Sequence, residues 1–138
     1  MSRKRFAIEL GYAADMHGED MTKAAVRAVR DAMSRTCLCG LVEIWGRENF
    51  QGVYVHAQVA VPAPECVDTE AVRAVIPIGK ASVSVTAGGM SAAGIEVPCF
   101  GPGTSNIIVA CAALTVSVDM DKAHAPACEA CAAPSRAD

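Results

Sequence analysis

Val53-Tyr54-Val55-His56-Ala57-Gln58-Val59-Ala60-Val61 sets small apolar residues at every second position. A period of two over nine residues is that of a strand with one buried face. Pro62 and Pro64 end it. Upstream, Met21 to about Arg35 contains neither Gly nor Pro. Val26, Val29 and Met33, with Ala25 and Ala32, form an apolar stripe, and Lys23, Arg27 and Arg30 lie opposite, so the segment predicts a helix. Asp20 or Thr22 suits its N-cap, and Gly40 stops the element. Phe6, Ile8 and Leu10 alternate with Ala7 and Glu9, a short strand that Gly11 ends. Gly11 to Asp20 reads as a polar, turn-prone connection.

Leu41 to Trp45 reads as a second strand, followed by a polar turn from Gly46 to Gly52. Downstream, Asp68 caps a helix from about Thr69 to Val75, closed before Pro77. Val83 and Val85 alternate with Ser82, Ser84 and Thr86, a fourth strand. Gly88-Gly89 is a turn, Ile95 and Val97 suggest a short fifth strand, and Cys99 to Ser105 is a loop. Asn106 to Val118 is the final strand. This order predicts an α+β domain of the split βαβ, ferredoxin-like kind. Its sheet is antiparallel or mixed, with two helices on one face and one or two extra strands. The domain spans 1–119, and the Ala-rich 120–138 reads as a loose tail. A sheet covered on one face only, in a chain this apolar, predicts a homo-oligomer.

Composition narrows the function classes. Hydrophobic residues are 52% and charged residues 20%, and the net charge is -3. That balance argues against disorder and against a nucleic-acid partner, which needs a basic field. No apolar run approaches the ~18 residues of a membrane span. The basic start Met1-Ser2-Arg3-Lys4-Arg5 leads into no signal-peptide core, so a cytoplasmic protein with no membrane partner is expected. Seven cysteines, an odd count, fit reduced thiols. Cys111 lies in an apolar run and reads as a small buried residue.

Candidate chemistry gathers at the Gly11 to Asp20 connection. Asp15 and His17 are two apart, so in an extended segment they point the same way, and an Asp-x-His pair suits a divalent metal or acid–base work. The plain alternative is an Asp15 turn cap beside a surface His17. Lys23 is placed to attract an anionic substrate, or else belongs to a solvated helix face. Glu9 is a candidate base if its strand face is an interface, and otherwise a surface residue. Cys37-Leu38-Cys39 suits a metal or redox pair, or two small residues at a helix end. His124, Cys128 and Cys131 have metal-ligand spacing but no clear fourth ligand.

Glu9-Leu10-Gly11, the segment from Gly11 to Gly18, and Asp20 to Ala32 resemble the Lin family of conserved hypothetical proteins. That family is marked by GxGxDxHG near the N-terminus. Cys37-Leu38-Cys39-Gly40-Leu41, Ala60-Val61-Pro62, Gly88-Gly89-Met90 and Ala112 to Val116 carry the same resemblance, over about Arg5 to Val118. Ala13 stands where the motif has its second glycine. More distantly, Asp15-x-His17 resembles the zinc-binding loop of methylerythritol cyclodiphosphate synthase, a trimer, which implies Asp15 and His17 as metal ligands. The glycine segment with Ala87-Gly88-Gly89 resembles ring-opening amidohydrolases of the cyanuric acid hydrolase and barbiturase type. Their serine falls on Ala87 here, and their loop lysine has no counterpart between Gly11 and Gly18.

The resulting expectation is a small-molecule enzyme, a hydrolase or lyase, acting on a cyclic amide or a carboxylated or phosphorylated compound. Its site would use Asp15, His17 and Glu9 as catalytic groups. Gly11, Gly18, Lys23, Gly88 and Gly89 would meet the substrate. Asp15 and His17 would hold any divalent metal, zinc first, and a trimer is favoured. The alternative is a non-catalytic ligand- or metal-binding oligomer.

Overall fold

The computed structural model describes residues 2–120. His124, Cys128, Cys131 and the rest of the expected tail lie outside the described residues. The elements are β1 (Arg3–Asp15), α1 (Met21–Ser34), α2 (Cys39–Glu43), β2 (Val53–Val61), α3 (Thr69–Ala74), β3 (Lys80–Ala87), β4 (Met90–Ala93) and β5 (Asn106–Asp119). The sheet runs β1-β5-β2-β3, and β4 extends it by pairing with the first residues of β5. β5 is antiparallel to both β1 and β2, so it splits a β1–α1–β2 unit, while β2 and β3 pair in parallel across α3. This is the expected α+β split βαβ arrangement with a mixed sheet.

The two layers meet through small side chains. α1 buries Ala24, Ala25, Ala28, Val29 and Ala32, and Asp20 caps it by accepting from the Lys23 N–H at 3.0 Å. The sheet answers with Val53, Val55, Ala57, Val59 and Val61 of β2 and with Ala110, Ala112, Leu114, Val116 and Val118 of β5. Each fully buried valine contributes about 2 kcal/mol of burial. Gly11 is where the layers come closest. A Cβ built there would lie 2.3 Å from the Ala28 carbonyl oxygen, 2.4 Å from the Ala32 nitrogen and 2.8 Å from the Ala32 Cβ.

That contact corrects the sequence reading of β1. Gly11 does not end the strand; it lets the helix lie on it, and pairing with β5 continues to Asp15. A register shift between Arg5 and Ala7 turns Phe6 into the core, where its ring centroid lies 5.3 Å from that of Trp45. Ile8, Leu10 and Tyr12 then fall on the uncovered face, at 54%, 61% and 63% exposure. Three further expectations change. Cys39–Glu43 is a helical turn, not a strand. The short strand is Met90–Ala93, not Ile95 to Val97. Cys111 is exposed, because β5 alternates and its even-numbered residues face the helices.

β1 lies at the sheet edge, and its outward groups at Leu10, Tyr12 and Ala14 are occupied. The Tyr12 N–H donates to Asp31 Oδ2 at 3.0 Å, and Arg35 donates to the Leu10 carbonyl at 3.1 Å while pairing with Asp31. The Tyr12 N–H and then Arg35 hold the Asp31 carboxyl below its ordinary range. Occupied edge groups deny another strand its template.

Candidate functional site

Asp15 ends β1 at 1% exposure. Its Oδ2 accepts from the N–H groups of Gly18 and Asp20, both at 3.0 Å. Its Oδ1 lies 3.2 Å from Lys23 Nζ and 3.5 Å from Arg27 Nη1. Burial opposes ionisation, but the Asp20 N–H, the Lys23 ammonium and the Gly18 N–H outweigh it and hold the carboxyl below its ordinary value. The N–H donors belong to the connection ahead of α1, whose cap is Asp20. Gly18 is needed at this approach, since a Cβ would lie 2.8 Å from Asp15 Oδ2.

His17 goes elsewhere. It is exposed and stacks on Phe100, with centroids 4.8 Å apart and planes 22° from parallel. Glu19 adopts a positive φ of 49° and accepts from the Asn106 N–H at 2.8 Å, which pins the connection to the start of β5. Asp15 and Lys23 are thus brought together, while His17 is turned outward onto Phe100. Both Asp15 oxygens are engaged by donors, a poor start for a metal ligand. Among the described residues, no three His, Cys, Asp or Glu side chains converge as a metal site.

Glu9 faces the helix layer, half-buried, on the wall of an apolar cavity of about 120 Å³. Ala7, Ala32, Met33, Leu38, Val55 and Ile76 supply much of the apolar lining, and Thr36 the other polar group. The Thr36 hydroxyl is buried and has no hydrogen-bond partner among the described residues. Such an orphan in a native fold is met by a water, an ion or a ligand, or holds strain. Sequence reasoning passed over Thr36, which lies past the end of α1 beyond any motif.

Gly88 and Gly89 turn β3 into β4 and press on the sheet. A Cβ at Gly88 would lie 2.9 Å from the Ala60 Cβ, and one at Gly89 2.1 Å from the Val109 carbonyl. Cys37 and Cys39 are free and exposed, as are Cys66, Cys99 and Cys111. On the uncovered sheet face, His56 lies between two serines of β3, with Nδ1 2.9 Å from Ser82 Oγ and Nε2 3.0 Å from Ser84 Oγ. The parallel β2–β3 register makes this cluster, and the alternation of both strands was its only sequence signal.

A model of a family described as conserved hypothetical proteins, Lin0512, matches residues 5–116. The chain belongs to the Lin0512 family. A search of curated proteins finds no match. Among solved structures, this Lin0512 chain is similar to an FtsZ-like protein of unknown function from Nostoc punctiforme PCC 73102. The two are 39% identical with a TM-score of 0.77, over 86% of this chain and 98% of that one. The Lin0512 match takes in β1, the Asp15 connection, the Glu9 cavity and most of β5. Among the described residues, no helix is long and apolar enough to cross a membrane.

Proposed function

We propose that this protein is a small-molecule-binding homo-oligomer. Its ligand is a small cyclic amide or a similar compact ring with an N–H beside a carbonyl, held in the Glu9–Thr36 cavity. The observation that carries this reading is the orphaned Thr36 hydroxyl sharing an apolar wall with Glu9. A carboxylate accepts the ligand N–H, and a turn of the Thr36 side chain, whose hydroxyl lies beneath the cavity surface, brings a donor to the ligand carbonyl. At about 120 Å³, the space approaches the roughly 150 Å³ of engineered apolar cavities that take up benzene. Binding is preferred over turnover because Asp15 already serves the loop and His17 packs on Phe100. The five cysteines among the described residues are free, which supports a reducing, cytoplasmic setting.

The test uses succinimide, hydantoin and 2-piperidone as probes, followed by thermal shift and amide chemical shifts. At least one is expected to raise the melting temperature and to move signals from Glu9, Thr36 and Leu38. Thr36→Val is expected to abolish that response. The same variant should stabilise the free protein by about 1 kcal/mol, because it removes a polar group that lacks a partner. No response to any probe, or an unchanged response in Thr36→Val, would overturn the reading. A ring-opened product in the same incubation would return the site to the hydrolase class.

The oligomer rests on the uncovered face. Ile8, Leu10, Tyr12 and Met90 are each more than half exposed there, and Cys111 pairs with Tyr12 in register. A second copy of this chain covers that stripe, with a trimer the state we expect. Light scattering at micromolar concentration is expected to give a multiple of 14.3 kDa, with the Cys111 thiol slow to react; a clean monomer would sink this.

A further inference from the structure

The apolar stripe runs along Ile8, Leu10 and Tyr12 of β1, and the part of the uncovered face between Arg3 and the β2–β3 pair is different in kind. There a depression of about 300 Å³ is lined by Arg3, Tyr54, His56, Lys80, Ser82 and Thr115, among others. We propose that it binds a small tetrahedral oxyanion, the phosphate group of a small molecule, and that His56 takes up a proton as the anion binds. This site is separate from the Glu9–Thr36 cavity, which opens on the other side of the sheet.

Both ring nitrogens of His56 meet a serine oxygen, Nδ1 at Ser82 and Nε2 at Ser84. A neutral ring has one donor and one acceptor nitrogen, so one serine must spend its hydroxyl proton on the ring. An imidazolium donates from both nitrogens. Both serine oxygens then accept, and both hydroxyl protons are free to point elsewhere. Ser82 lines the depression, so its released proton is available to an oxyanion there. The positive ring favours the anion and the anion favours the positive ring.

The surrounding charges agree. Lys80 makes no ion pair among the described residues and sits beside Tyr54 in the β2–β3 register. Arg3 lies over the Tyr54 ring, 3.4 Å from its centroid, and its Nε is 3.7 Å from Asp119 Oδ1. Asp119 is buried and also accepts from the Tyr54 hydroxyl at 3.1 Å. It offsets Arg3, which leaves Lys80 as the uncompensated cation lining the depression. From β5, Thr115 and Ser117 add only hydroxyls, and Arg5 of β1, the register partner of Ser117, is not part of the lining. A charge-assisted set of this kind suits phosphate better than a neutral ligand.

The proton can be watched directly. The His56 ring C–H signals are assigned by their absence in His56→Gln, and sodium sulfate, which carries no titratable proton near neutrality, is added at constant pH. The signals are expected to move toward the imidazolium position and to saturate. Sodium chloride at matched ionic strength should leave them in place. Inorganic phosphate should compete for the same site. Lys80→Ala is expected to raise the sulfate midpoint about tenfold, the loss of one charge-assisted contact, whereas Thr36→Val should leave it unchanged. Static His56 signals, an equal response to chloride, or an unaltered midpoint in Lys80→Ala would each overturn the proposal. A response that vanishes in Thr36→Val would instead assign the anion to the cavity and overturn it too.

Discussion

Gly11→Val is expected to destabilise the fold by about 3 kcal/mol, read as a fall in the urea midpoint at unchanged slope. Two effects oppose each other. Valine restricts the unfolded chain and suits a strand, which together favour the variant by up to about 1 kcal/mol. Against this, the Cβ alone would come within 2.3–2.8 Å of three α1 atoms, and valine adds two methyl groups beyond it. Overpacking of this kind typically costs about 1–3 kcal/mol and here sits at the upper end or above. Two of the three contacts are backbone atoms, so the side chain of Ala32 cannot make room. Ala32→Gly is therefore expected not to rescue the variant, and a rescue would show that the layers are held apart by side chains instead.

Asp15→Ala is expected to cost about 3 kcal/mol, or about 10 °C in melting temperature. The cost comes from the Gly18 and Asp20 N–H groups, which lose their acceptor. Lys23 and Arg27 are about half exposed and return to water cheaply. Asp15→Asn keeps an acceptor oxygen and should cost only about 1 kcal/mol. The two variants also differ from wild type in acid. Asp15 titrates lower in the folded protein than its ordinary 3.8, so its stabilisation is full above that value and fades as pH falls toward the lower folded one. Urea midpoints between pH 5 and pH 3 should fall more steeply for wild type than for Asp15→Asn. Parallel curves would show that the carboxylate charge contributes nothing to the connection.

These two positions also show what the sequence disclosed. The alternation of Val53–Val61, the stripe of α1 and the caps Asp20 and Asp68 survive into the structure because each is a local preference that packing reinforces. Gly11 was misread because glycine has two uses, a turn and a close approach, and sequence cannot tell them apart without the helix above it. Leu41 and Trp45 fit a strand and a helix equally, since a spacing of four is even and also about one helical turn. The structure forms the turn, with the Ile44 and Trp45 N–H groups both donating to the Gly40 carbonyl at 3.2 Å. Of the candidate site, Asp15 stood out by its spacing from His17 in a polar connection, and Glu9 as a charged residue in an apolar strand. Their neighbours did not, because Thr36 reaches Glu9 through the layering, and Ser82 reaches His56 only through a parallel register.

Gly11 also governs a dimension some distance from itself. The cavity opens beside the point where α1 touches β1, bounded by Ala32, Met33 and Thr36 on one side and by Ala7 and Glu9 on the other. The contact at residue 11 is a fulcrum, and the gap between helix and strand at Glu9 is the opening of the wedge it supports. On the proposed reading, the size of molecule that fits depends on the residue at the fulcrum as well as on those that would touch the molecule. A change of ligand size would then run through residue 11 and the alanines facing it, with Glu9 and Thr36 left as they are.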